Sequence, residues 1–330
     1  MTRLTAIILG IISLAIGTPA SARVETIMVH GPSIEGNLEG NEATRKVHVI
    51  LPRSYDEDTS RRYPVVYFLH GFTATADRYL EMLDPDDAVQ SFGGQEMIVV
   101  IPDSHTKRGG SFYASGSTVG DFETFIAKDL VEAIDTRFRT IADRESRGLS
   151  GHSMGGYGTL RIGMKHPDVF SSIYPMAPCC TQPRPSREGD AKYETMDPDK
   201  LTAEQFWDYG YFAWSAAFSP NPQNPPYYWD LGTKDGAPNT LTVARWAHNS
   251  PAAMISQYSG NLKRMEAIAM DVGEQDFLLD EVKAMHAQLD NFGVTHEFML
   301  FEGDHTNRVK ERFRSQLLPF FAKHLDPEAE

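Results

Sequence analysis

The chain has 330 residues, with 31 basic and 45 acidic side chains and a formal net charge of −14. This acidic balance would repel nucleic acid and excludes it as a partner. The length could hold two domains, but strand patterns continue from about residue 46 to residue 301 without a linker. No internal repeat, heptad run or low-complexity tract is visible in the sequence. We therefore expect one main domain.

The N-terminus predicts a secretory signal peptide over residues 1–22. Met1-Thr2-Arg3 precedes a mostly apolar run at 4–17, and Ala20-Ser21-Ala22 is a small-residue cleavage pattern. The run is shorter than the roughly 20 residues that span a bilayer, so a retained membrane anchor is the alternative. We expect the mature protein, from residue 23 onward, to be periplasmic or extracellular, without stable membrane insertion.

Strand and helix signals alternate along the mature chain. Continuous apolar runs at 64–69 and 97–102 are typical of parallel strands that are buried on both faces. Residues 121–138 then carry a helical apolar face, and a short strand at 147–150 is followed by helical spacing at 157–164. This alternation predicts an α/β fold with a mostly parallel central sheet flanked by helices.

Between that short strand and its helix lies Gly151-His152-Ser153-Met154-Gly155. The pentapeptide fits the GxSxG pattern, in which a serine sits on a sharp strand-to-helix turn. The two glycines let the turn close without Cβ clashes. Because ligands of parallel α/β sheets bind beyond the carboxyl ends of the strands, Ser153 is expected to face a pocket. The pattern predicts that Ser153 is a nucleophile.

Nucleophilic attack on a carbonyl needs donors for the developing oxyanion. At such turns the donors are usually the N–H of the next residue and an N–H that follows an earlier strand. The next residue is Met154, and the strand at 64–69 ends in His70-Gly71-Phe72. We therefore predict an oxyanion hole formed by Met154 and Phe72, with His70 in a structural role.

The remaining partners should follow in the order Ser, then Asp or Glu, then His. A predicted strand at 267–270 leads into a loop that contains three acids. Asp276 lies furthest past the strand and can reach sideways to a histidine, so it is the preferred acid. Glu274 is the main alternative, and Asp271 falls near the strand end.

Four histidines follow the acid loop, namely His286, His296, His305 and His324. Two of them fall within predicted helices, and one begins the predicted strand at 296–301. His305 follows that strand directly, at the edge of the sheet where Ser153 is expected. The sequence therefore assigns the general base to His305, oriented by Asp276.

These motifs resemble those of the putative-esterase family of α/β-hydrolases, which includes S-formylglutathione hydrolases, feruloyl esterases and bacterial mycolyl transferases. The resemblance covers most of the mature chain and implies an α/β-hydrolase domain over residues 23–330. It also implies that Ser153, Asp276 and His305 form a catalytic triad. The motifs that carry it lie at 67–72, 151–156, 273–276 and 303–305.

A long segment at 181–250 departs from the compact members of that family. It is rich in proline turns and contains all four tryptophans, Trp207, Trp214, Trp229 and Trp246. One interpretation is that the aromatic side chains form a small core for the insertion itself. The other is a lid over Ser153 whose aromatic wall binds an apolar or aromatic acyl group. The lid hypothesis assigns substrate binding to Trp207, Trp214 and Trp229.

The only two cysteines, Cys179 and Cys180, are adjacent in the sequence. They cannot join distant segments, and a bond between neighbours is strained, so we predict free thiols. The sequence shows no familiar metal-ligand spacing, dinucleotide fingerprint or phosphate-binding loop. We therefore expect neither a cofactor nor a metal ion.

Together these patterns predict a secreted serine esterase that hydrolyses a small-molecule carboxylic ester through an acyl-enzyme on Ser153. An acyltransferase would use the same triad with an alcohol or sugar as acceptor. A non-catalytic binding module on the same fold is the third alternative. The sequence leaves the identity of the ester and the oligomeric state open.

Overall fold

The computed structural model describes residues 23–328, so the predicted signal peptide at 1–22 lies outside the described residues. An eight-stranded sheet forms the centre of the molecule. Its strands are β1 (Arg23–His30), β2 (Thr44–Leu51), β3 (Val65–Leu69), β4 (Ile98–Pro102), β5 (Arg147–His152), β6 (Ser172–Met176), β7 (Ala267–Gly273) and β8 (Glu297–Phe301).

The strands lie in the order β1-β2-β4-β3-β5-β6-β7-β8. β2 is antiparallel to both β1 and β4. The strands from β4 to β8 in this order are all parallel to their neighbours. This confirms the predicted mostly parallel sheet and brings the carboxyl ends of β3, β5, β7 and β8 to one edge.

Nine helices of the described chain accompany the sheet. They are α1 (Ala76–Leu83), α2 (Pro85–Ser91), α3 (122–137, with a π-helical turn at Phe125–Asp129), α4 (Met154–Lys165), α5 (Phe206–Phe218), α6 (Thr240–His248), α7 (Pro251–Leu262), α8 (Leu279–Asn291) and α9 (309–324, with a π-helical turn at Phe313–Leu317). Short 3-10 turns supplement them. Within residues 23–328, none of the helices is long and apolar enough to cross a lipid bilayer.

The core has two parts, one on each face of the sheet. Val65, Tyr67 and Leu69 of β3 belong to one hydrophobic cluster, whereas Val66 and Phe68 belong to the other. Successive side chains of a strand point to opposite faces, and every residue of β3 and β4 is buried. Burial on both faces is the reason that these strands are continuous apolar runs in the sequence.

Element boundaries differ from the sequence prediction at functionally important points. α4 begins at Met154, directly after Ser153, rather than near residue 157. β7 extends to Gly273, so Asp271 lies inside the strand. The loop that follows β7 therefore offers Glu274 and Asp276 as its acids.

The aromatic segment at 181–250 contains three 3-10 turns, the helices α5 and α6, and a two-residue hairpin at Thr233–Lys234 and Ala237–Pro238. Trp214, Trp229 and Trp246 are only 6%, 3% and 0% exposed, whereas Trp207 is 70% exposed. Three of the four tryptophans therefore contribute to a core, as the first interpretation of this segment expects.

Candidate active site

Ser153 occupies a strained turn between β5 and α4. Its φ of +58° and ψ of −114° are rare for a residue with a side chain, and such conformations cost on the order of 1–3 kcal/mol. Its N–H donates to the Met176 carbonyl at 3.0 Å, and its carbonyl accepts from the N–H of Tyr157 at 2.9 Å. These contacts hold Ser153 at the carboxyl edge of the sheet.

Gly155 shows why the turn requires glycine. A Cβ atom at this position would lie 2.0 Å from the carbonyl oxygen of Leu69, far inside van der Waals contact. At Gly151 a Cβ atom would lie 2.6 Å from the main chain of Gly155. The absence of both Cβ atoms lets α4 begin directly against the end of β3.

Ser153, His305 and Asp276 lie within hydrogen-bonding distance in series. His305 Nε2 is 2.9 Å from Ser153 Oγ, and His305 Nδ1 is 2.8 Å from Asp276 Oδ2. The Asp276 carboxylate is buried and also accepts from the N–H of Leu278 at 2.8 Å. Because Nδ1–H donates to the carboxylate, Nε2 presents its lone pair to the Oγ–H group. This arrangement can remove a proton from Ser153.

The two alternative acids have other surroundings. Asp271 is buried in β7 and pairs with Arg312 and with the Tyr174 hydroxyl. Burial raises the pKa of Asp271 above its usual range, although the Arg312 charge opposes the shift. Glu274 is exposed to solvent. Of the three acids, Asp276 is the one that contacts His305.

The amides of Met154 and Phe72 lie in the two loops next to Ser153. Met154 is the first residue of α4, so its N–H has no acceptor within the helix. The loop that carries Phe72 is close, because a Cβ atom on Gly71 would lie 3.4 Å from Ser153 Cβ. Within residues 23–328, neither amide donates to a protein acceptor. Both N–H groups are therefore available to a carbonyl oxygen of a ligand.

His152 has a position that the sequence did not reveal. Its buried ring places Nε2 2.7 Å from the main-chain carbonyl of His305 and Nδ1 2.6 Å from the Tyr79 hydroxyl. A carbonyl can only accept, so Nε2–H donates and Nδ1 accepts from Tyr79. Burial lowers the pKa of His152 to about 3, with a smaller contribution from His305. The sequence signal for this role was the histidine itself, which stands directly before Ser153 at a position that the GxSxG pattern leaves variable.

A cavity of about 600 Å³ opens beside Ser153. Trp207 and Trp214 are among the residues that line it. Trp229 is not, because its ring stacks on Tyr227 at 5.1 Å and is buried in the core of the 181–250 segment. This corrects the expectation that Trp229 contacts substrate. The other aromatic side chains of the lining are Phe72, Phe112, Tyr193, Phe206, Tyr211 and Phe277.

Cys179 and Cys180 also line the cavity. Both are free cysteines, with their Sγ atoms 2.7 Å apart, and the Cys179 N–H donates to the Ser153 carbonyl at 3.2 Å. Burial raises the pKa of the Cys180 thiol well above its usual value, which disfavours the reactive thiolate. The two cysteine side chains therefore form a polarizable, apolar part of the cavity wall beside Ser153.

The sheet order and the position of the site define the class of the protein, which is an α/β-hydrolase. Residues 40–324 match the family model described as "putative esterase". The chain belongs to this family, and the resemblance inferred from its motifs is confirmed.

Curated relatives match part of the chain. An esterase of Mycobacterium tuberculosis is 35% identical over 131 residues, covering 38% of this chain and 27% of the relative. The S-formylglutathione hydrolase of Paracoccus denitrificans is 26% identical over 135 residues, covering 36% of this chain and 47% of the relative. The matches thus span less than half the length of these relatives.

Solved structures match almost the whole chain. A ferulic acid esterase superposes with a TM-score of 0.66 at 24% identity, covering 93% of this chain and 99% of the other. An S-formylglutathione hydrolase from Agrobacterium tumefaciens gives a TM-score of 0.62 at 17% identity, covering 94% and 98%. At these identities the likeness establishes the fold.

Proposed function

We propose that this protein is a serine esterase that hydrolyses carboxylic esters through an acyl-enzyme on Ser153. The observation that carries the proposal is the 2.9 Å distance from His305 Nε2 to Ser153 Oγ, with Asp276 on the other ring nitrogen. A nucleophile, a base and an orienting carboxylate in hydrogen-bonded series are the requirements for this chemistry.

In the acylation step, His305 Nε2 accepts the Ser153 proton while Oγ attacks the ester carbonyl. The buried Asp276 carboxylate stabilises the imidazolium that forms. The amides of Met154 and Phe72 donate to the oxyanion of the tetrahedral intermediate. When the intermediate collapses, the alcohol leaves with the proton from Nε2, and the acyl group stays on Oγ.

In the second step, water replaces the alcohol and gives its proton to His305 Nε2. The resulting hydroxide attacks the acyl carbonyl, and the second tetrahedral intermediate uses the same two amides. Collapse breaks the bond to Oγ, which recovers its proton from His305, and releases the carboxylic acid. Ser153 and His305 return to their starting protonation states.

The walls of the cavity favour an apolar or aromatic acyl group. Trp214 and Phe112 lie edge to face at 5.5 Å, and Phe72 stacks on Phe112 at 5.8 Å. Aromatic walls suit flat apolar ligands. The lining also includes the charged residues Arg184, Arg187, Asp190, Lys192 and Glu281. The similarity to a structure described as a ferulic acid esterase is in line with this acyl class.

The test compares wild type with Ser153→Ala on p-nitrophenyl esters of rising acyl length, feruloyl esters and acetyl-sugar esters. We expect kcat of Ser153→Ala to fall by at least about 10⁴-fold, since the nucleophile is lost, with no change in melting temperature. Ser256→Ala, an exposed serine of α7, is the matched control and should keep full activity. Full turnover by Ser153→Ala would refute the proposal.

Two further measurements separate the alternatives. A serine-directed phosphonate should label Ser153 in wild type, and failure to label it would favour a non-catalytic binding module. Product partition in the presence of added alcohols or sugars distinguishes hydrolysis from acyl transfer, because a transferase protects its acyl-enzyme from water. We expect the free acid to be the main product.

We also propose that the protein acts outside the cytoplasm. The support is the apolar run and the Ala20-Ser21-Ala22 cleavage pattern at 1–22. Cell fractionation with N-terminal sequencing should recover a protein that begins at residue 23 in the periplasm or medium. Recovery of a cytoplasmic protein that still carries Met1 would contradict this expectation.

A further inference from the structure

A cluster of side chains that can bind a metal lies at the connection between α8 and β8, apart from the active site. His286 and Asp290 are four residues apart on α8, and His296 directly precedes β8. One ligand atom from each residue lies within 4.8 Å of the other two. None of these groups takes part in the esterase mechanism proposed above.

His296 is oriented with one ring nitrogen available. Its Nδ1 lies 2.8 Å from the Val294 carbonyl, and a carbonyl can only accept, so Nδ1 carries the proton and Nε2 keeps its lone pair. Metal-bound histidines usually make this kind of contact through the nitrogen that does not bind the metal. The His296 side chain is buried, so its orientation is fixed by packing.

His286 faces that lone pair, whereas Asp290 lies beside the other nitrogen of each ring. His286 Nδ1 lies 2.7 Å from His296 Nε2, and the His286 ring is stacked on Phe298 with centroids 4.3 Å apart. Asp290 Oδ2 lies 3.6 Å from His286 Nε2, and Asp290 Oδ1 lies 4.0 Å from His296 Nδ1. Zinc–nitrogen bonds of about 2.0–2.1 Å in tetrahedral geometry place the two nitrogens roughly 3.3 Å apart. A modest separation of the two rings therefore makes room for an ion.

We propose that His286, Asp290 and His296 bind a divalent transition-metal ion of the Zn²⁺ type, with water completing the coordination. Two imidazoles and one carboxylate are a donor set that suits zinc. His286 would bind through Nδ1 in the tautomer that carries its proton on Nε2, and the exposed Asp290 carboxylate would turn from the outer ring nitrogens toward the ion. Asp290 is exposed, which provides the path by which the ion enters.

The position of the cluster indicates a structural role. β8 is an edge strand whose partner in the described sheet is β7. Asp276 lies just before α8, and His305 follows β8. An ion bound between α8 and β8 would therefore hold together the two elements that place Asp276 and His305 near Ser153. An ion that binds the folded state and not the unfolded chain stabilises the fold.

The test is calorimetric titration of tag-free, EDTA-treated full-length protein with Zn²⁺, together with its melting temperature. We expect one Zn²⁺ per chain with micromolar affinity, and a rise in melting temperature of about 3–5 °C at a hundredfold excess over Kd. Asp290→Asn and His286→Asn should each weaken binding at least tenfold. His248→Ala removes an exposed histidine of α6 and should bind as wild type does.

Asp290→Asn is the decisive variant, because its exposed side chain can change without disturbing the core. Absence of saturable Zn²⁺ binding by wild type would overturn the proposal. Wild-type affinity in both Asp290→Asn and His286→Asn would also overturn it, since bound Zn²⁺ would then lie elsewhere. Neither outcome depends on ester hydrolysis, so the esterase proposal stands or fails separately.

Discussion

The side chain of His152 donates to the main-chain carbonyl of His305 at 2.7 Å. The same ring accepts from the Tyr79 hydroxyl at 2.6 Å, and the Tyr79 oxygen lies against Gly71 in the loop that follows β3. One buried imidazole thus connects the turn at Ser153 with the two loops beside it. Since the main chain of His305 determines how far its ring reaches, His152 is well placed to position the base.

Replacing His152 should therefore impair turnover more than binding. His152→Leu removes the donor to His305, and we expect kcat to fall about 10–100-fold with KM within twofold, because displacements of about 1 Å in a reacting group can cost this much. His152→Gln keeps an N–H donor and should recover part of the loss. The measurement is kcat and KM, determined separately for both variants. Equal losses of kcat in the two variants would indicate that His152 acts only through general packing.

Acid stability should also depend on His152. Burial, aided by His305, lowers its pKa to about 3 from an ordinary value of 6.5. Between these pH values the unfolded chain binds a proton that the folded protein does not, so stability is lost as pH falls from 6.5 toward 3. For this one group the loss between pH 7 and pH 4 is about 3 kcal/mol.

Urea unfolding at both pH values checks this pH dependence. His152→Leu lacks the titrating group, so its free energy of unfolding should fall less on acidification than that of wild type. The difference in free energy of unfolding between wild type and His152→Leu should consequently be smaller at pH 4 than at pH 7. A gap of the same size at both pH values would show that His152 does not contribute to the pH dependence.

The three acids near β7 should give three different phenotypes. Asp276→Asn should lower kcat by about 10³–10⁴-fold, since the orienting charge beside His305 is lost. Glu274→Gln should leave activity unchanged and serves as the control. Asp271→Asn breaks the buried pair with Arg312 and should cost about 3–5 kcal/mol of stability. Steady-state kinetics and urea unfolding of each variant would separate these effects, and a catalytic loss in Glu274→Gln would contradict the assignment.

Substitutions of two tryptophans in the 181–250 segment should also separate an effect on substrate binding from an effect on stability. Trp207→Ala removes an exposed ring from the cavity wall, so KM for aromatic esters should rise severalfold while the melting temperature stays nearly constant. Trp229→Ala removes a core ring and should cost about 3–5 kcal/mol. KM values and urea unfolding of both variants test this, and a raised KM in a stable Trp229→Ala protein would contradict it.

Much of the architecture follows from local patterns. The continuous apolar runs of β3 and β4 predicted buried parallel strands, because a strand covered on both faces has no solvent side to make polar. His305 could be selected from four histidines because it directly follows a predicted strand. Asp276 could be preferred over Asp271 because distance past a strand end is visible in the sequence. The structure places both residues in hydrogen-bonded series with Ser153.

Other features depend on contacts between distant residues. Trp207 and Trp229 look equivalent in the sequence, yet one is 70% exposed and the other 3%. The link between Tyr79 and His152 spans 73 residues, and no local pattern reports it. The proximity of His286 and His296 could not be predicted, because His286 lies in a helix and His296 lies beyond the loop that follows it. Their spacing matches no familiar metal motif.

The sequence by itself determined the alternation of strands and helices, the strained turn at Ser153 and the order of the residues proposed to act with it. Periodicity and turn chemistry encode these features within a few neighbouring residues. Only the tertiary structure decided which aromatic rings line the cavity, which acid contacts His305, and that His152 connects the surrounding loops. Those outcomes depend on which surfaces are packed together, and that is set by the whole sheet and its helices rather than by any one segment.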